Sequence, residues 1–162
     1  MIENASHYFA RGNTAHGAHF LYKSAFQGLD KILVLTGPPG TGKSTVIRNL
    51  AESLLDRGQH VQCFHSPLRP DELDGIIATE LKVGVIDEQA CGGILEGVTG
   101  ETLMFDFGVA LDTRSISKET FGTIEELKGN LIDAYSKAYK TFATALRIHD
   151  EWKNFISRAW TS

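Results

Sequence analysis

Cysteine is scarce in this chain, with two thiols, Cys63 and Cys91, among 162 residues. Two are too few for a disulfide framework or a four-cysteine zinc site. Long apolar runs are missing as well, and no stretch approaches the ~20 residues that a membrane-crossing helix requires. The opening Met1-Ile-Glu-Asn-Ala-Ser-His7 has neither the charged nor the apolar portion of a secretory signal, so we expect a cytoplasmic protein. Positive charge is not in excess. A net charge of −4 argues against a broad nucleic-acid surface and for small molecules or proteins as partners. There is no internal repeat and no low-complexity tract. At 42% hydrophobic and 22% charged, the composition is that of a globular protein able to build one core, and we expect a single domain over 1–162.

What the chain does carry is concentrated between Gly37 and Ser44, which read Gly-Pro-Pro-Gly-Thr-Gly-Lys-Ser. Gly, four residues, Gly, Lys and then Ser or Thr is the phosphate-loop pattern. Its backbone N–H groups wrap a triphosphate, its lysine reaches the β- and γ-phosphates, and its hydroxyl ligates magnesium. Gly37, Pro38, Pro39, Gly40, Thr41, Gly42, Lys43, Ser44 and Thr45 are therefore assigned to nucleotide binding, Lys43 also to catalysis and Ser44 to the metal. Both flanks agree. Lys31-Ile-Leu-Val-Leu-Thr36 has the length and composition of a strand, while Ile47, Leu50, Ala51, Leu54 and Leu55 recur at helical spacing until Gly58. The loop thus opens a helix whose positive end faces the phosphate.

Around this unit the pattern predicts strands at His60–His65, Leu81–Asp87 and Thr102–Phe107. Ser66 to Gly75 reads as a polar connection with one helical turn at Pro70 to Leu73. Ahead of the loop, Ser6 to Gly12 reads as irregular. Asn13 or Thr14 is expected to cap a helix bearing Ala18, Leu21, Tyr22, Ala25 and Phe26 that ends at Gly28. Beyond Arg114 the pattern changes. Thr123-Ile-Glu-Glu126 has the form of a capping box, and Ile124, Leu127, Leu131, Tyr135, Ala138, Phe142, Ala145, His149, Trp152, Ile156 and Ala159 follow in steps of three and four. Gly129-Asn130 marks a break or kink. A stripe this long outruns a sheet of four strands, which is only ~20 Å wide. It is expected to fold back as a hairpin or to pair with another subunit, and we favour pairing, in a homodimer or with a helical protein partner.

The fold class that results is α/β, a three-layer sandwich with a small, mostly parallel sheet and a long C-terminal amphipathic helix or helical hairpin. The chain divides into an N-terminal segment (1–30), a nucleotide-binding core (31–115) and a helical region (116–162).

A phosphate loop needs a second acidic group at the tip of a neighbouring strand to hold magnesium through its waters. Asp87, the last residue but one of Lys82-Val-Gly-Val-Ile-Asp-Glu88, is the candidate, as catalytic residue and as metal partner of Ser44. Glu88 points elsewhere and is the candidate to orient and deprotonate an attacking water. Arg69, Asp71 and Asp74 follow the carboxyl end of the second strand, where ligands lie in open α/β sheets, and are candidates for an acceptor or sensor site. Arg11 and Arg114 are candidates to place charge on the transferring phosphoryl group, in cis or from another subunit, whereas Arg48 belongs to the surface. Phe105-Asp-Phe-Gly108 spells the magnesium motif of protein kinases without their other signatures. His16 and His19 share a helical spacing but have no further ligand. Neither is assigned a function, and Tyr135, Tyr139, Phe142 and Trp152 are read as packing rather than as a base-stacking platform.

With these residues in view, the chain resembles a family of poorly characterised P-loop proteins of spore-forming bacteria, labelled ATPase or nucleotide kinase. The likeness rests on His7-Tyr-Phe-Ala, Gly12-Asn-Thr14, Gln27-Gly-Leu-Asp30, the Gly37 to Ser44 loop, Leu73-Asp-Gly75 and Ile148-His-Asp-Glu-Trp152. It implies ATP binding. Members of that family carry a second P-loop half where this sequence has one, and the resemblance therefore leads us to expect a truncated or single-unit version in which a dimer replaces the other half. It also carries Glu88-Gln-Ala-Cys-Gly92 where the family has Gly-Thr-Ala-Pro-His. Three functions stand open at this point: a magnesium-dependent ATPase, a phosphotransferase on a small molecule or nucleotide, and a module that binds nucleotide without turnover. ATP and Mg²⁺ are the expected cofactors. ATP is preferred to GTP because no Asn/Thr-Lys-x-Asp segment is present to read guanine.

Overall fold

In the computed structural model, which describes residues 2–92, 97–110 and 117–160, the strands in chain order are β1 (Ser6–Tyr8), β2 (Arg11–Thr14), β3 (Gly17–Phe20), β4 (Lys31–Thr36), β5 (Val61–His65), β6 (Leu73–Ala78), β7 (Val83–Asp87) and β8 (Glu101–Asp106). Six of them form one sheet in the order β1-β5-β6-β7-β4-β8, and β2 pairs with β3 alone. β4 is parallel to β7 and β8, and β1 to β5, while β6 runs antiparallel to both neighbours. The sheet is mixed and mostly parallel. The helices are α1 (Tyr22–Ala25), α2 (Lys43–Asp56), α3 (Glu88–Cys91) and α4 (Lys118–Trp160).

Two compact units result: Met1–Gly12 with Phe20–Leu111, and Asn13–His19 with Asp112–Ser162. In the first, both faces of the central strands β4 to β7 are covered, while all six residues of the edge strand β8 are exposed. Ile47 and Ala51 of α2 pack with Leu35, Val61, Cys63, Ile76 and Val85 on one face. Tyr22, Phe26 and Leu29 pack with Ile32, Val34, Phe64, Ile77 and Ile86 on the other. Burial from both sides is why β6 has no polar alternation: all six of its residues are buried. Its first half was expected within a polar connection, because Asp74-Gly75 imitates loop composition. A bulge where Phe64 faces Gly75 and His65 faces Leu73 inserts Asp74 as an extra residue.

The helix expected from Asn13 or Thr14 to Gln27 is not formed. Residues 11–20 are instead a hairpin, closed by Thr14, whose hydroxyl donates to the Gly17 carbonyl at 2.8 Å and accepts the His16 amide at 3.1 Å. Gly17 sits at φ +100°, a conformation a helix interior does not use. Only the single turn of α1 survives of the helix, and Ser6 to Tyr8, expected to be irregular, pair as an edge strand.

In the second unit α4 runs for 43 residues without a break, about 64 Å at 1.5 Å per residue. The hairpin alternative and the kink at Gly129-Asn130 are not observed, since glycine costs only ~1 kcal/mol in a helix interior. The helix also starts before the expected box. Ser117 Oγ accepts the Thr120 amide at 3.1 Å as the cap, and Thr123 bonds back to the Glu119 carbonyl at 3.1 Å from inside the helix. No helix among the described residues is long and apolar enough to cross a membrane.

Close packing on the α1 face yields a test. A Cβ on Gly84 would meet Phe26 Cε1 at 2.6 Å and Leu29 Cδ1 at 2.8 Å. Gly84→Ala is therefore expected to destabilise by about 1–3 kcal/mol, read as a lowered urea midpoint. An unchanged midpoint would contradict the packing described.

Candidate nucleotide site

Chain order and strand order part company at β4, because its sequence successor β5 lies three places away while β7 and β8 flank it. The carboxyl end of such a strand is where an open α/β sheet leaves a crevice, and here the Gly37–Gly42 loop fills its rim. Gly37 adopts φ +122°, with room for no side chain: a Cβ would stand 2.8 Å from the Gly108 amide nitrogen. Gly42, at φ +86°, is the N-cap of α2 and brings no side-chain acceptor. The first-turn amides are thus left to an outside acceptor at the positive end of a 14-residue helix.

Lys43 is 4% exposed. Its Nζ donates to the carbonyls of Gly37 at 2.6 Å and Pro38 at 3.0 Å, and lies 3.6 Å from Asp87 Oδ2. Asp87 reaches this position because β7 pairs with β4 so that Leu35 faces Asp87. Its Oδ1 also accepts the Gln89 amide, capping α3. Burial raises the Asp87 carboxyl above the usual range; the Gln89 amide and Lys43 oppose the rise, and nearby Asp74 adds to it. Ser44 Oγ accepts the Leu73 amide at 3.0 Å, joining the start of α2 to the start of β6.

These groups converge on a cavity of about 250 Å³ lined by Pro39, Gly40, Gly42, Lys43, Ser44, Thr45, Arg69, Glu72, Asp87 and Gln89. Thr41 donates to the Pro38 carbonyl at 2.9 Å and stiffens the loop. Glu88 is exposed at the first position of α3 and lines no part of the cavity. The next residue does: Gln89 Nε2 donates to the Gly37 carbonyl at 3.3 Å. One hydroxyl and one carboxylate are a donor set that suits Mg²⁺, which keeps most of its waters and phosphate ligands. No group of three or more His, Cys, Asp or Glu that would make a protein-only metal cage occurs among the described residues, His16 and His19 included.

Of the other candidates, Arg69 lines the cavity and pairs with Glu72 at 2.8 Å. Asp71 is exposed, and its carbonyl accepts from Arg48, which thereby ties α2 to the β5–β6 connection. Asp74 is not in a solvated loop. It is 7% exposed and accepts from Arg11 Nε at 2.7 Å, Arg11 Nη2 at 3.3 Å and the Tyr22 hydroxyl at 2.9 Å, while Arg11 Nη2 also reaches Ser66 Oγ at 3.2 Å. Burial, reinforced by Asp74, pushes the Tyr22 phenol far above its ordinary value. Arg11 thus neutralises a second acid near Asp87, and Arg114 lies outside the described residues. Asp106 of the Phe105-Asp-Phe-Gly108 run accepts the Gly108 amide at 2.7 Å, a turn contact beside Gly37. Sequence reasoning missed Gln89 and the Arg11–Asp74–Tyr22 cluster; a lone polar residue surrounded by apolar ones, as in Leu73-Asp-Gly-Ile-Ile, was the available signal.

The raised Asp87 carboxyl makes ionisation unfavourable in the folded state. Its contribution to stability is intact below the ordinary carboxylate value and is lost as pH rises through the raised one. Asp87→Asn without ligand is accordingly expected to melt above the parent at pH 7, with the gain shrinking toward pH 4 in calorimetric scans. A variant that melts lower at pH 7 would contradict this electrostatic reading.

The sequence profile described as AAA domain matches residues 27–159, which include the loop, the sheet strands from β4 onward and nearly all of α4. No significant match was found among curated proteins or among solved structures. By that profile and by the phosphate loop it spans, the chain belongs to the AAA domain family of P-loop nucleotide-binding proteins.

Proposed function

We propose that the chain is a magnesium-dependent ATPase. The observation that carries this reading is the convergence of the Lys43 ammonium, the Ser44 hydroxyl, the Asp87 carboxylate and the uncapped start of α2 on one cavity. In this reading the amides of residues 40–45 receive the β- and γ-phosphates, and Lys43 exchanges its two loop carbonyls for phosphate oxygens. Ser44 and Asp87 would hold Mg²⁺, the latter through water. The ion supplies charge neutralisation across the phosphates when bound. Departure of Lys43 from Asp87 leaves that carboxylate short of positive charge, so nucleotide and cation binding reinforce one another. Gln89, from the cavity wall, is assigned to orient the attacking water, in the manner of glutamines that position water without accepting its proton. Glu88 has no such placement.

A narrower kinship with the P-loop proteins of spore-forming bacteria remains part of this reading, resting on the outer motifs around His7, Gln27 and Ile148. Two buried cysteines that form no disulfide fit a reducing compartment, and we place the protein in the cytoplasm. Phosphotransfer is the second reading, favoured by Arg69 and Glu72 on the cavity wall at the β5–β6 connection.

Phosphate release from ATP separates these possibilities. We expect release that requires Mg²⁺ and no added acceptor, a loss of 10²-fold or more in Gln89→Ala on the scale of other electrostatic and positioning groups (~10²–10³), and near-parental turnover in Glu88→Gln. Consumption that needs a nucleoside or nucleotide acceptor would establish the kinase instead. Tight binding with no turnover would reduce the protein to a binding module.

A further inference from the structure

Helix α4 presents two unlike faces within the second unit. One meets the hairpin tip: the Tyr139 hydroxyl donates to Asn13 Oδ1 at 2.9 Å, and Ala15 and His16 line a groove of about 360 Å³ with Ala143, Leu146 and Asp150. On the opposite side an apolar row stays open. Ile124, Leu127 and Leu131 at one end are 37%, 60% and 56% exposed, and Ile148, Trp152 and Phe155 at the other are 56%, 60% and 72% exposed. Ala134, Ala138, Thr141 and Ala145 join the two ends in alternating steps of three and four. The row therefore keeps a seven-residue repeat from Ile124 to Phe155 without a stutter, the repeat of a coiled-coil seam.

We propose that this seam binds a second copy of the chain, with the two helices antiparallel about a midpoint between Tyr139 and Lys140. An antiparallel pair of identical helices requires the order of side-chain sizes to be the same from both ends, a demand that a parallel pair does not make. The seam meets it. Ile124 falls opposite Phe155, Leu127 opposite Trp152 and Leu131 opposite Ile148, so large residues meet large ones at both ends. In the centre Ala134 falls opposite Ala145 and Ala138 opposite Thr141, which lets the backbones approach closely.

The flanks decide in the same direction. Antiparallel pairing brings Tyr135 beside Phe142 and Asn130 beside Glu151, whereas parallel pairing sets charged Lys137 and Glu151 against apolar Phe142 and Ile156. The area is adequate too. The seam is about 47 Å long, and a strip of that length and half a helix circumference wide amounts to roughly 800 Å², the share each partner contributes to a stable complex.

The test uses the full chain without nucleotide, so its outcome is independent of the function proposed above. Light scattering at micromolar concentration is expected to give twice the chain mass. Nitroxides on Glu126→Cys, with Cys63 and Cys91 buried away from the reagent, are expected about 40 Å apart along the helix axis for the antiparallel pair and within ~20 Å for a parallel one. Leu131→Glu places a carboxylate in two layers at once and is expected to halve the mass, with circular dichroism checking that the helix persists; the distance measurement stands alone if it does not. A monomeric parent, a short nitroxide distance or a helical Leu131→Glu dimer would each overturn the proposal.

Discussion

An ammonium group buried in the first turn of α2 organises the first unit. Lys43 keeps its charge under cover only because acceptors surround it, and supplying them sets several other features. Gly37 and Gly42 hold conformations that turn the loop around the lysine, β7 lies beside β4 so that Asp87 arrives within reach, and Ser44 takes the Leu73 amide and fixes where β6 begins. The arrangement is electrostatically tense. Asp87 is desolvated with Asp74 nearby, and the Arg11 and Tyr22 donors that satisfy Asp74 reach it from outside the phosphate loop. A polyphosphate with its cation would relieve that tension, because it offers Lys43 better acceptors and Asp87 a positive partner.

How much of this was legible in the sequence followed the range of the interactions involved. Gly37 to Ser44 could be read because the loop's chemistry is contiguous, and β4, β5, β7 and β8 because their apolar runs are bounded by loop residues. The position of Asp87 beside the loop could be read because it closes an apolar run of strand length. The helix expected across residues 13–27 failed because Ala18, Leu21, Tyr22, Ala25 and Phe26 satisfy helical spacing by coincidence, while the Thr14 hydroxyl and Gly17 close a turn that propensity does not see. All of β6 was missed: Asp74-Gly75, polar by composition yet buried by the bulge opposite Phe64 and His65, hid its first half, and Ile76-Ile-Ala78 alone is too short an apolar run to read as a strand. That Gln89 rather than Glu88 lines the cavity is not legible in the sequence, because a strand-to-helix junction changes direction with each residue.

The second unit follows a different logic. Its 43-residue helix derives stability from length, from pairs such as Glu125–Lys128 and Arg147–Glu151, and from contact with the hairpin tip of the same unit. An apolar seam facing water is costly for a monomer and natural for an assembly. The AAA domain profile reaches into both units, since it runs through the loop and on along the helix.

The central claim is that Lys43 holds a site for a nucleoside triphosphate. Isothermal titration of a non-hydrolysable ATP analogue with Mg²⁺ tests it directly, on the full chain and on Lys43→Ala. A charge-assisted contact worth about 1.5–3 kcal/mol predicts binding by the parent and roughly 10- to 150-fold weaker binding by the variant. Equal affinity in the two proteins, or no heat from any purine triphosphate with the parent, would contradict the account.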